Sequence, residues 1–188
     1  MTAAPGGLAT LRATAVAAGL VVTASASWPE TDADREVPTL AGFIESDFSP
    51  LLAEVAGRTL SRRAPSVGPE QHPVTAVVMV TALGDVSTAA RVAAAVDAGQ
   101  RVSPLLFFQS VPNAVAGYLG ARWRLTGPVV CVSGTRAGLD VAALLIADAD
   151  ADEALLACVD LAVSGTGRAA AILVTSPVTR NDGESHEL

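Results

Sequence analysis

Val74–Ala82 reads VTAVVMVTA, a short unbroken apolar run with turn residues on both sides, Pro73 before it and Gly84 after it. A run of this length, rich in β-branched residues and without polar alternation, predicts a strand covered on both faces. Such a strand requires a layer of helices above it and another below.

Working outward, the upstream segment Phe48–Arg63 carries Leu51, Leu52, Val55, Ala56 and Leu60 at helical spacing. Ser49 before Pro50 reads as its cap and first turn. Thr14–Ala24 reads as a first strand, followed by an acidic, proline-flanked loop from Trp28 to Pro38. Downstream, Val86–Ala98 and Ser110–Trp123 are predicted helices, and Gly127-Pro128 introduces a strand over Val129–Ser133. A helix over Thr135–Ala149 and strands over Ala154–Val159 and Ala169–Thr175 complete the order β-α-β-α-α-β-α-β-β. Strands that alternate with helices and are nearly continuous in Val, Leu and Ile predict an α/β fold. Its mixed, mostly parallel five-stranded sheet carries helices on its faces.

The 188 residues suit one globular unit, expected to span 1–178, with the polar stretch 179–188 as a disordered tail. Hydrophobic residues make up 51% of the chain but aromatic ones only 4%, so the core is built from Ala, Val and Leu. There is no lysine, and the arginines are spread from Arg12 to Arg180 in a chain of net charge −7. Nucleic-acid binding, which needs a concentrated basic face, is not expected, and lysine chemistry is excluded. Cys131 and Cys158 lie in apolar runs, which fits a reducing, cytoplasmic setting. Near the N-terminus two readings stand side by side. Arg12, the apolar AVAAGLVVTA and Ala24-Ser25-Ala26 imitate an export signal, while the β-branched end of the same stretch suits a buried strand. No run approaches the ~20 apolar residues of a membrane span.

Ser103–Asp160 reads SPLLFFQSVPNAVAGYLGARWRLTGPVVCVSGTRAGLDVAALLIADADADEALLACVD. Its Ser-Pro, Phe and Ser-Val-x-Asn-Ala-x-x-Gly segments, followed by a Gly-Pro strand and a small-residue turn, resemble the N-terminal domain of the β-ketoacyl synthases. Ala15–Thr23 and Thr81–Asp85 resemble the opening strand and the end of the second strand of that family. The resemblance implies one half of the thiolase fold. It also implies a nucleophilic cysteine three residues before Gly138, at the start of a helix that would lower its pKa. Here that position holds Thr135, whose hydroxyl is a far weaker nucleophile without a base. The catalytic histidines of the family belong to the second half of its fold, which lies beyond this sequence. His72, in a loop, and His186, in the tail, read as exposed residues without a catalytic role. Pro112 stands where the family often has His, and Ala157-Cys158 where it usually has a Gly pair.

By the same resemblance, Phe107, Phe108, Asn113, Thr135, Gly138 and Leu139 are the candidate substrate-binding residues, with Phe107, Phe108 and Leu139 expected to share one acyl pocket. Asn113 has a structural reading as well, as a bonding partner for backbone near a helix start. Val129, Val130, Cys131, Val132 and Ser133 are the candidate partner surface. No cofactor and no metal are expected. Asp148–Glu153 imitates the opening of a calcium loop but lacks its glycine and closing glutamate. Gly134, Gly138, Gly165 and Gly167 match no phosphate-binding motif and read as packing glycines. The expected function is that of a non-catalytic synthase-like subunit, a partner of a ketosynthase, a chain-length factor or an acyl carrier protein in bacterial polyketide or fatty-acid assembly, as a homo- or hetero-dimer. An acyl transfer through Thr135 with a partner's base, and an isolated acyl-binding module, are the alternatives.

Overall fold

The computed structural model describes residues 7–64, 72–161 and 167–177. The sequence readings of the 179–188 tail, His186, Gly165 and most of the proline-rich loop before Val74 lie outside the described residues. The order is α1 (Leu8–Ala17), β1 (Val21–Trp28), α2 (Phe48–Ser61), β2 (Thr75–Val80), α3 (Val86–Asp97), α4 (Pro104–Gln109) and α5 (Ala114–Trp123). It continues with β3 (Val129–Val132), α6 (Thr135–Ala147), β4 (Glu153–Asp160) and β5 (Arg168–Thr175).

One sheet holds the strands in the order β1-β5-β4-β2-β3. β2 pairs in parallel with β3 and β4, whereas β5 is antiparallel to β4 and β1. Four strands therefore run one way and only β5 opposes them, which is the mixed, mostly parallel sheet expected. The predicted double burial of β2 holds along its whole length. Val77 and Met79 join the core beneath α2 and α5, while Ala76, Val78 and Val80 join the core beneath α1 and α6. The alternation of a strand thus supplies two cores from one run of apolar residues.

The first element differs from the expectation. The stretch predicted as a strand from Thr14 is the end of α1, and β1 begins only at Val21. Leu11 and Ala15, one helical turn apart, are its buried residues, and alanine favours the helix. Gly19, at φ +79°, stops it: its amide donates to the Val16 carbonyl and the Leu20 amide to the Ala15 carbonyl. This is a Schellman closure that needs a left-handed residue. Ala24-Ser25-Ala26, which imitates a cleavage site, lies in the middle of β1, paired with β5.

Two helix starts also move. α2 begins at Phe48, and Ser49 sits in its first turn with its amide on Ser46 Oγ, so Ser49 is not the cap. The predicted helix over Ser110–Trp123 starts only at Ala114, because the chain turns through Ser110–Asn113 after the short α4. α2 is braced to the loop after β1 by Arg58, whose guanidinium binds both carboxylate oxygens of Asp34 and also Glu54. Hydrogen bonds from Arg58 and from the Glu30 and Thr31 amides hold Asp34 far below the ordinary carboxylate range. The pair therefore stays ionised throughout the neutral range.

α6 lies against the sheet at Gly138. A Cβ built there would stand 2.6 Å from Val80 Cγ2 and 3.1 Å from Leu156 Cδ1. Both neighbours are buried, and the Val80 side chain is branched at Cβ, so neither yields easily. Gly138→Ala is expected to destabilise the fold by about 1–3 kcal/mol through overpacking. Thermal or urea unfolding measures it, and the sign is informative: a stabilised variant would mean that helix propensity outweighs the contact.

Candidate functional site

Thr135 is the first residue of α6, at the carboxyl end of β3. The chain reaches it through Gly134, whose φ of +95° is closed to most side chains. No side chain caps this helix. A thiol at Thr135 would meet the positive end of the helix, the condition that produces a reactive thiolate. The hydroxyl present is half-buried and lies within hydrogen-bonding reach of the Cys158 thiol. Burial pushes that thiol up to about 12, and the interaction with Thr135 lowers it only in part. Cys158 is therefore neutral at physiological pH and too weak a base to activate the hydroxyl.

His72, the one histidine among the described residues, is exposed just before β2, at the amino end of the parallel strands. Thr135 stands at their carboxyl end, so His72 cannot serve it. Cys131 lies within β3 and is exposed, away from the helix start. The Thr135 position thus has the backbone geometry of an activated nucleophile but holds a hydroxyl in place of a thiol, and among the described residues no imidazole stands at that end of the sheet.

The remaining candidate residues divide into two groups. Gly138 and Leu139 are buried in α6 against β2 and β4. Phe107 and Phe108 lie on α4 and are 70% and 61% exposed. Phe107 borders a recess of about 470 Å³ with Leu83, Asp85, Val92 and Pro112, and Leu139 is not part of it. Leu139 lies instead with α6, and α5 and α6 pack on opposite faces of the sheet. Asn113 precedes α5, but its side chain makes no capping bond, contrary to the structural role expected of it.

The partner-surface candidates fall on an edge strand. β3 is hydrogen-bonded to β2 alone among the described strands. The Val77 amide donates to the Pro128 carbonyl and the Thr81 amide to the Val132 carbonyl. By the alternation of a parallel ladder, the backbone groups of Val129 and Cys131 then point away from the sheet. Val129 is 43% exposed and Cys131 is exposed as well. An apolar open edge of this kind is a template for another strand.

Sequence reading missed a second apolar surface, on α3. α3 places Ala89, Val92, Ala93 and Val96 on one helical face, yet Thr88 is its only buried residue. It is held at its start, where Asp85 accepts from the Thr88 amide and hydroxyl, and where Thr88 reaches the Glu45 carbonyl. The apolar face is left outward, with Leu83 and Phe107 joined to it around the recess. The helical spacing of Val92 and Val96 signalled an apolar face, but not that no described residue covers it.

The acidic run Asp148–Glu153 has structural duties. It ends α6, Asp152 accepts from the Val74 amide, and Glu153 bonds Thr75 and pairs with Arg63. No group of residues suited to a metal ion occurs among the described residues, and no helix there is long and apolar enough to cross a membrane.

Comparison with known proteins agrees with the architecture. A ketosynthase in complex with its chain length factor, from Xenorhabdus doucetiae, superposes with a TM-score of 0.64 at 18% identity. That match covers 86% of this chain and 80% of the other, so the two are of comparable length. The ishigamide ketosynthase/chain length factor gives 0.60 at 18% identity, covering 83% of this chain and 50% of its own. A β-ketoacyl synthase from Burkholderia phymatum gives 0.57 at 14% identity, covering 88% and 54%. The chain thus spans about half the length of these last two. At such identities the likeness concerns the fold, a thiolase-like half. No curated protein matches the sequence. The family model described as "Beta-ketoacyl synthase, N-terminal domain" matches residues 55–165, more than half of the sequence, and the chain belongs to that family.

Proposed function

We propose that this chain is a non-catalytic ketosynthase-like subunit that pairs with a ketosynthase in bacterial polyketide or fatty-acid assembly, in the manner of a chain-length factor. The observation that carries this reading is the open apolar edge of β3, together with the apolar face of α3 that no described residue covers. Strand addition at such an edge supplies backbone hydrogen bonds, and exposed aromatic side chains such as Phe107 and Phe108 supply apolar burial. A solved complex containing a chain of similar fold and length, made of a ketosynthase and its chain length factor, supports the choice of partner. An acyl carrier protein is the further partner that such an assembly requires for its substrate.

The chemistry at Thr135 supports a silent role. A hydroxyl beside a neutral thiol, with no imidazole at that end of the sheet among the described residues, cannot attack a thioester at a useful rate. Acyl transfer through Thr135 would need its base from another subunit. Thr135→Ala in the assembled complex separates the two readings, because the silent role predicts unchanged product formation.

The thiols give a direct check of this environment. A pKa raised to about 12 leaves Cys158 protonated across the neutral range, with reactivity rising only as pH climbs toward that value. Iodoacetamide at pH 8 followed by mass spectrometry is expected to label Cys131 in the native chain and both cysteines after unfolding. Labelling of native Cys158 at the rate of Cys131 would contradict the buried, neutral thiol.

Cys131→Pro tests the interface. It removes an amide that points away from β2, so the internal ladder stays intact while pairing at the edge loses a donor and meets a steric block. Affinity for the ketosynthase is expected to fall at least about tenfold, or 1.4 kcal/mol, with unchanged circular dichroism. Unaltered affinity would remove β3 from the interface.

A further inference from the structure

A second recess, of about 580 Å³, opens at the carboxyl ends of β1 and β4, beside the start of α1 and the start of β5. It lies toward the β1 side of the sheet, away from the β3 edge. Its size is that of sites that enclose small molecules. Leu8, Trp28 and Pro29 contribute apolar walls, and Cys158, Asp160 and Arg168 line it too. Trp28 is only 2% exposed, so its ring is fixed by the packing around it. Cys158, neutral and almost fully buried, behaves there as a small apolar group.

The charged pair decides what would bind. Asp160 and Arg168 stand opposite one another in the β4–β5 ladder. No ion pair joins them, and Arg168 forms none with any other described residue. The guanidinium is therefore available to a ligand. Its planar fork suits a carboxylate, which it can hold through two parallel hydrogen bonds. The neighbouring Asp160 disfavours a second negative charge on the same molecule.

We propose that this recess binds a small amphipathic monocarboxylate, its apolar part against Leu8, Trp28 and Pro29 and its carboxylate on Arg168. The site belongs to this chain alone and needs no partner subunit, so it stands or falls independently of the pairing at β3.

Trp28 reports on the recess once the other tryptophan of the chain is removed as Trp123→Phe. Octanoate, kept below its micellar concentration, is the probe, with calorimetry on the unsubstituted chain as a second readout. A saturable change in Trp28 emission or in heat is expected, at least about tenfold weaker in Arg168→Gln and stronger in Asp160→Asn. Arg168 is exposed, so its replacement leaves the fold in place, which circular dichroism verifies. Absence of saturable binding in both readouts, or equal affinity in Arg168→Gln, would overturn the proposal.

Discussion

The rest of the structure depends on the burial of β2 on both faces. Because Val77 and Met79 face one helical layer and Ala76, Val78 and Val80 the other, β2 must be an inner strand flanked by neighbours. β4 takes one side and β3 the other. With only four residues, β3 closes the β2 side of the sheet, and no other described strand pairs with its outer groups. The same burial draws α6 down onto the sheet, to the point where Gly138 leaves no room for a methyl group. The site at the start of α6 and the open edge are thus two consequences of one packing arrangement.

That arrangement sets Thr135 where the family resemblance implies a nucleophilic cysteine. Gly134 and the uncapped start of α6 still present a residue to the positive end of a helix. The residue is a threonine, and the nearest thiol, Cys158, is held protonated by burial. What the molecule presents outward is apolar surface: Leu83, Val96, Phe107 and Phe108 on the α3–α4 side, and Val129 on the edge strand. A single chain gains nothing by leaving these groups in water, and each becomes useful when a second surface covers it.

Much of this was legible in the residues themselves. β2, β4 and β5 are continuous apolar runs, and their double burial follows from the absence of polar alternation. α3 and α6 were legible from helical spacing, and Thr135 from its distance to Gly138. The start of the first strand differs from the sequence expectation because the Ala-rich segment before Gly19 carries no polar face, so the helix has no amphipathic signature. The separation of Phe107 from Leu139 could not be read locally. It depends on which side of the sheet each connection crosses, a long-range property of the topology. The same holds for the edge position of β3, which the family resemblance suggested through its partner surface and which spacing alone does not contain.

Light scattering coupled to size exclusion, on the purified chain and on its mixture with a ketosynthase from the same source, reads the proposed pairing as a mass. A stoichiometric complex is expected, with a mass equal to the ketosynthase assembly plus whole copies of an 18.9 kDa subunit. A well-folded chain that elutes at its own mass and ignores the ketosynthase would contradict it.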